Sequence, residues 1–139
     1  MYYKIQIEIL KALSKGADVR QLTTEQNAYI CVDGIIIYAI PRNMLFLDCT
    51  KFIEMYSMKN LINIDVVTAL TDLCQVKNTS VYHIHLYNND TAGYMTGIDD
   101  KYVKLLKGAT MFQEKRNSPI LARINGAPIA VIMPMKVGD

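Results

Sequence analysis

The sequence predicts an α+β domain in which short helices cover one face of a mainly antiparallel sheet. Three observations lead there. Residues 12 to 40 lie over residues 104 to 132 at a constant offset of 92 with no gap, and eight of the 29 pairs are identical. The identities fall where backbone geometry is demanding: at a helix-ending Lys-Gly-Ala (15 to 17 and 107 to 109) and at a turn (Gly34 and Gly126). Self-similarity of this kind marks a repeated supersecondary unit. Second, each copy holds two apolar runs flanking Asp33-Gly34 or Asn125-Gly126, dipeptides that readily supply the positive φ of a tight hairpin turn. Third, the apolar period shifts between helix-like and strand-like spacing along each copy.

Taken in order, residues 2 to 7 place Tyr3, Ile5 and Ile7 on one face in strand alternation. Ile9, Leu10 and Leu13 then mark a short helix with Lys11 and Lys15 on its other side, and Gly16 is a natural stop. A polar strand near Val19 to Thr24 precedes the hairpin AYICV and IIIYAI. The second copy opens at GYMTGI, a strand leading into a helix capped by Asp99 or Asp100 and carrying Tyr102, Val103, Leu105 and Leu106. ATMFQEKR is its next strand, followed by SPILARI and PIAVIMPMKV. Pro128 inside the last strand favours an edge or a bulge. Each unit therefore reads β-α-β-β-β, over residues 1 to 41 and 93 to 136.

Residues 42 to 92 are a third, degenerate unit or an insertion. MLFLD has the composition of a strand. Cys49 to Met55 resembles Asp99 to Leu105 at an offset of 50, with apolar residues in the same places. LINIDVVTAL, TDLCQV and SVYHIHLY read as strands rich in β-branched and aromatic residues, with Lys77-Asn78-Thr79 as a turn.

Residues 1 to 139 make one domain with an ordinary globular composition, half apolar and one fifth charged. The net charge of +2 does not by itself announce a nucleic-acid partner, so charge placement matters more than the total. Cys31, Cys49 and Cys74 are odd in number and in no metal-ligand pattern, which points to reduced thiols and a cytoplasmic setting. The first residues carry no basic n-region before a long apolar core, and no run approaches the ~20 residues of a membrane span, so no membrane partner is expected.

Two short helices on a largely antiparallel sheet of β-α-β-β-β units resemble the DNA sliding clamp, the processivity ring of replicative polymerases. The tail Ile129-Ala130-Val131-Ile132-Met133-Pro134-Met135-Lys136 is similar to the end of bacterial DNA polymerase III beta subunits, which commonly close on an apolar strand and Met-Pro-Met-Arg. GYMTGIDDKYVKLLKG resembles the opening of their last half-domain, and MYYKIQIEILKAL their N-terminal strand and helix. The resemblance covers residues 1 to 41 and 93 to 136. It implies a non-enzymatic scaffold of DNA replication that binds duplex DNA without sequence preference, docks peptide motifs of polymerases or clamp loaders, or does both.

In that family helices present Lys and Arg to backbone phosphates. By resemblance the DNA-facing residues are Lys11, Lys15, Lys101, Lys104 and Lys107, with Lys51 and Lys59 added if the middle segment holds a helix. Lysines on the solvated face of an amphipathic helix are the plainer explanation of the same pattern. The family's peptide pocket is built partly by the terminal strand, which by resemblance assigns Val131, Met133, Pro134 and Met135 to it. The plainer reading makes these residues core and gap filler. This chain departs from the family in having Lys136 for the usual Arg, in running on to Val137-Gly138-Asp139, and in length. With two or three units per chain, six or four copies would close a twelve-unit ring, so a homo-oligomer is expected, through a head-to-tail interface. The competing expectation is a small protein-interaction module of phage or mobile-element origin with no DNA or ring role.

Other chemistry finds little support. His83 and His85 point to one face of a strand, but no third metal ligand is visible beyond Cys74 across a hairpin, so neither metal nor cofactor is expected. No nucleophile elbow surrounds Ser14, Ser57, Ser80 or Ser118. Gly16, Gly34, Gly108 and Gly126 are accounted for by helix stops and turns rather than a phosphate loop. The chain is expected not to be an enzyme.

Overall fold

A computed structural model describes residues 1–58, 71, 72, 74–81, 84–89 and 93–135. Its elements run α1 (Tyr2–Ser14), β1 (Val19–Thr23), β2 (Asn27–Val32), β3 (Ile36–Pro41), β4 (Ile53–Glu54), β5 (Thr71–Asp72), β6 (Cys74–Val81), β7 (Ile84–Asn89), β8 (Tyr94–Asp99), α2 (Asp100–Leu105), β9 (Thr110–Gln113), β10 (Ile120–Ile124) and β11 (Ala127–Ile132). The protein is α+β: among the described residues α1 and α2 accompany a mostly antiparallel main sheet.

Among the described residues that sheet has eight strands in the order β4-β1-β2-β3-β11-β10-β9-β5, and only the short β1–β4 pairing is parallel. A second sheet has the order β6-β7-β8. In the main sheet the two repeated stretches form the meanders β1-β2-β3 and β9-β10-β11, laid in mirrored order about the β3–β11 junction. Across that junction Tyr38 stands opposite Ala130, Ile37 opposite Val131 and Ile36 opposite Ile132. Tyr38 and Ala130 are also 92 residues apart, so at the junction one copy meets the same position of the other.

Local geometry follows the sequence at the repeated glycines. Asp33 and Gly34 have φ of 53° and 68°, Asn125 and Gly126 of 52° and 79°, the paired positive values that a type I′ hairpin turn needs. Helix α1 ends with Gly16 at φ 84°; the Ala17 N–H donates to the Ala12 carbonyl and the Gly16 N–H to that of Leu13, which is the Schellman arrangement. Pro128 sits at a bulge: the β10–β11 register shifts between Ala122 and Arg123, and Pro128 lies opposite Arg123. A residue without an N–H is tolerated there because the ladder is already interrupted.

Side chains alternate between the two faces of the sheet. Ala28, Ile30, Ile36, Tyr38, Ile120 and Ala130 belong to one core cluster, which Ile5 and Ile9 of α1 and Tyr102 of α2 complete. Cys31, Ile37, Leu121 and Val131 point to the other face, where Leu22 and Met58 join them. A buried glutamine ties α1 to the chain after β3. Gln6 Nε2 donates to the carbonyls of Tyr2 and Met44, at 3.1 and 3.0 Å, while its Oε1 accepts from the backbone N–H groups of Phe46 and Leu47, at 2.7 and 3.2 Å.

Five expectations are corrected. Residues 2 to 7 are the first half of α1, not a strand: Ile5 and Ile9, four apart, reach the core together, and the alternation of Tyr3, Ile5 and Ile7 reflects a second apolar stripe on the same helix. The first unit is therefore α-β-β-β, whereas the second keeps its leading strand, β8. Cys49 to Met55 is not a helix but a 3₁₀ turn (Cys49–Lys51) capped by Asp48, followed by β4. MLFLD is not a strand: a 3₁₀ turn ends at Met44, and the Phe46 and Leu47 N–H groups donate to Gln6 Oε1 instead of a sheet partner. Lys77-Asn78-Thr79 is not a turn; it lies within β6, where the pairing with β7 shifts register between Gln75 and Ser80. Strand β9 also ends at Gln113, short of the expected ATMFQEKR. LINIDVVTAL and Lys59 lie outside the described residues.

Candidate functional site

Helix α1 carries lysines on the turns that face α2, and α2 begins where Asp99 accepts a hydrogen bond from the Lys101 N–H at 3.0 Å. The two helices and the β2–β3 turn enclose a cavity of about 380 Å³. Glu8, Ile9, Lys11, Ala12 and Lys15 of α1 and its end form one wall; Lys101, Tyr102 and Leu105 of α2 form the other. Val32, Asp33, Ile35, Ile36 and Tyr38 supply the floor and one lip, with Gly16 and Ala17 at the helix end. The result is a groove, open to solvent on one side, whose lining mixes apolar and polar surface beneath a rim of charged side chains.

Charges on this rim are unevenly matched. Lys11 Nζ is 3.2 Å from Glu8 Oε1, and Asp33 Oδ1 accepts from the Asp18 N–H at 2.8 Å, so both carboxylates are engaged. Lys15 and Lys101 have no carboxylate partner among the described residues; the Lys101 ammonium sits 4.9 Å from the centre of the Tyr102 ring. Burial pushes the Tyr38 phenol well above its ordinary range, with Tyr102 and Glu8 adding to the effect. Its hydroxyl therefore stays a neutral donor at any ordinary pH. Burial also raises Tyr102, opposed by Lys101.

Of the DNA-facing set, Lys11, Lys15 and Lys101 thus converge on one cavity. Lys104 turns to Asp100, with Nζ 2.8 Å from Oδ2, and Lys107 is exposed beyond the end of α2; neither lines the cavity. Lys51 is exposed on the 3₁₀ turn. The peptide-pocket set is split across the tail. Val131 is buried on the opposite face of the sheet. Met133 and Met135 are 42% and 40% exposed, and their N–H groups donate to the carbonyls of Ile35 and Gly97. None of the four borders this cavity or the smaller one beside Cys31.

His85 does not meet a metal-like cluster among the described residues. Its Nε2 pairs with Asp100 Oδ1, joining β7 to the first turn of α2. The hydrogen bond from Lys104, and then the one from His85, hold the Asp100 carboxyl below its usual range. His83 lies outside the described residues. Cys31 and Cys49 are free, buried thiols, and burial raises the pKa of each.

The sequence reading missed two features. The cavity itself was not foreseen, because it depends on the distance between two helices that are far apart in the chain. The second was the outer stripe of α1, Tyr3, Ile7 and Leu10, at 58%, 46% and 46% exposure, beside Phe46, whose ring stacks on Tyr3 at 5.9 Å. The spacing of 4 and 3 was its visible signal. No helix is long and apolar enough to cross a membrane among the described residues. No protein-family model, curated protein or solved structure matches this chain.

Proposed function

We propose that this chain is a non-enzymatic, clamp-like domain associated with DNA replication, whose helical face meets duplex DNA through backbone phosphates. The observation that carries this reading is the mirrored main sheet, with both helices contributing to the core on one side of it and Lys11, Lys15 and Lys101 drawn from both helices to one rim. A helix followed by a three-stranded meander, present twice and joined edge to edge at Tyr38 and Ala130, is the arrangement expected of a duplicated clamp-like unit. Contacts between lysines and phosphates carry no sequence information and weaken with salt, which suits a protein that slides. Docking of peptide motifs at Met133, Pro134 and Met135 belongs to the same reading, but these residues line neither cavity, so the phosphate contacts are the better supported half. Ring closure by several copies in a cytoplasmic setting completes the proposal.

Fluorescence anisotropy of a labelled duplex across a salt series tests it. Three lysine–phosphate contacts predict a slope of about −3 in log affinity against log salt. Lys15→Glu with Lys101→Glu should flatten that slope by about two contacts and abolish binding at moderate salt. Absence of binding in low salt, or an unchanged slope in the double variant, overturns the reading.

One observation favours a second reading, a protein-interaction module without a DNA role. Tyr3, Ile7, Leu10 and Phe46 form a contiguous exposed apolar stripe that DNA phosphates do not use. Light scattering of the chain with and without circular duplex separates the two: retention of circular DNA by a multimer supports the clamp, and a small species indifferent to DNA supports the module.

A further inference from the structure

The apolar part of the groove between the helices, formed by Ala12, Ala17, Ile35 and Leu105, is not explained by phosphate contacts, which need only cations at a surface. We infer that the cavity between α1 and α2 is a binding site for a small amphiphilic anion: a compact apolar body under a single carboxylate or phosphate head. This goes beyond the DNA reading and stands without it.

Size, lining and charge each contribute. A volume of about 380 Å³ lies within the range of small-ligand sites, which are mostly apolar with a few convergent polar groups. The apolar surface open to a ligand comes from Ala12 and Ala17 at the end of α1, Leu105 of α2 and the exposed Ile35, with Ile9, Ile36 and Tyr38 packed beneath it. An apolar body placed there leaves water for an apolar surround. At the rim the Glu8 charge is matched by Lys11, and Asp33 keeps its negative charge while accepting from the Asp18 N–H, so three lysines face two carboxylates and leave one net positive charge. Lys15 and Lys101, one from each side, remain to receive a single negative head by charge-assisted hydrogen bonds. The Tyr38 phenol, kept neutral, adds a donor at the border of the same cavity. A neutral apolar molecule would gain nothing from the two ammonium groups, and a bare anion nothing from the apolar part of the lining.

Titration calorimetry with octanoate, octyl phosphate, octyl glucoside and inorganic phosphate, each below its aggregation concentration, tests the inference. Either octyl anion should bind at least about tenfold more tightly than octyl glucoside or inorganic phosphate; comparing the two anions identifies which head is preferred. Amide shifts on binding should map to Ala12, Ile36 and Leu105. Lys15→Ala with Lys101→Ala should weaken octyl-anion binding by about tenfold or more, and Ala12→Phe should abolish it by filling the space. No saturable binding of either anion, equal affinity for octyl glucoside or for inorganic phosphate, or unaltered binding in the exposed-lysine double variant overturns the inference. Duplex affinity of Ala12→Phe is read separately. The substitution leaves the lysines in place, so loss of octyl-anion binding with DNA binding retained assigns the cavity to the amphiphile and the rim to phosphates.

Discussion

Gly34 and Gly126 give the sharpest test of whether the two hairpins are physically equivalent. Both stand at positive φ, 68° and 79°, and a Cβ added at either meets no atom within 4 Å. Replacement by alanine therefore carries no packing penalty, and only the backbone conformation is charged. A left-handed conformation costs an L-residue roughly 1–2 kcal/mol. Stiffening of the unfolded chain by the new side chain returns about 0.4–1 kcal/mol. The net expectation is a loss of about 1 kcal/mol at each turn, the same within experimental error. With an urea m-value of about 2 kcal/mol/M, each variant should unfold at about 0.5 M less urea than the parent, with an unchanged slope. Equilibrium urea unfolding followed by circular dichroism measures this directly. A loss above about 3 kcal/mol at either site would mean a clash that the open surroundings of these glycines exclude. A clear loss at Gly34 with none at Gly126 would show that the two turns differ, and the repeated dipeptide would no longer signal repeated geometry.

Other expectations follow from the packing. Ile9→Ala should cost about 2–5 kcal/mol because the side chain is buried in the core, whereas exposed Ile7→Ala should stay within about 0.5 kcal/mol; similar losses at Ile5 and Ile7, with little at Ile9, would restore the strand reading. Gln6→Leu removes four hydrogen bonds and leaves the Phe46 and Leu47 N–H groups without their acceptor, so a loss of about 2–4 kcal/mol is expected in the same unfolding assay. A variant as stable as the parent would show that the 42–47 segment holds itself in place. Asp100 has a carboxyl held below its usual 3.8 by Lys104 and His85. Its contribution is present above that value and fades as the pH falls below it, because the unfolded chain takes up the proton first. Asp100→Asn should thus narrow the stability difference between pH 5 and pH 3, and an identical pH profile in parent and variant would remove the carboxylate from the account.

Much of the architecture was readable because local rules and the fold agree. Asp33-Gly34 and Asn125-Gly126 marked both hairpins, Gly16 and Gly108 both helix ends, and Pro128 a bulge, each through a backbone constraint acting over a few residues. The near-continuous apolar runs of β2 and β3 marked strands, but which residue faces which core was set by burial on both sides of the sheet. The N-terminal segment misled because residues 2 to 14 carry two apolar stripes: Tyr3, Ile5 and Ile7 satisfy a period of two, and only burial of Ile5 with Ile9, leaving Ile7 outside, selects the helix. The segment from Cys49 to Met55 misled differently, since its resemblance to Asp99 to Leu105 lay in apolar spacing while its structure begins as a 3₁₀ turn capped by Asp48.

Among the site residues, the chemical types were legible in the sequence: lysines on the helix surfaces and methionines in the tail. Which of them act together was decided by tertiary structure. Lys15 and Lys101 are 86 positions apart in the chain, and no local period relates them. They border one cavity because the two meanders join at β3 and β11, which brings α1 and α2 onto the same side of the sheet. Lys104, three residues from Lys101, is drawn instead to Asp100 by the short reach of a helix turn. Short-range geometry is written in neighbouring residues and can be read from them; the convergence of distant side chains depends on strand register, which only the folded sheet supplies.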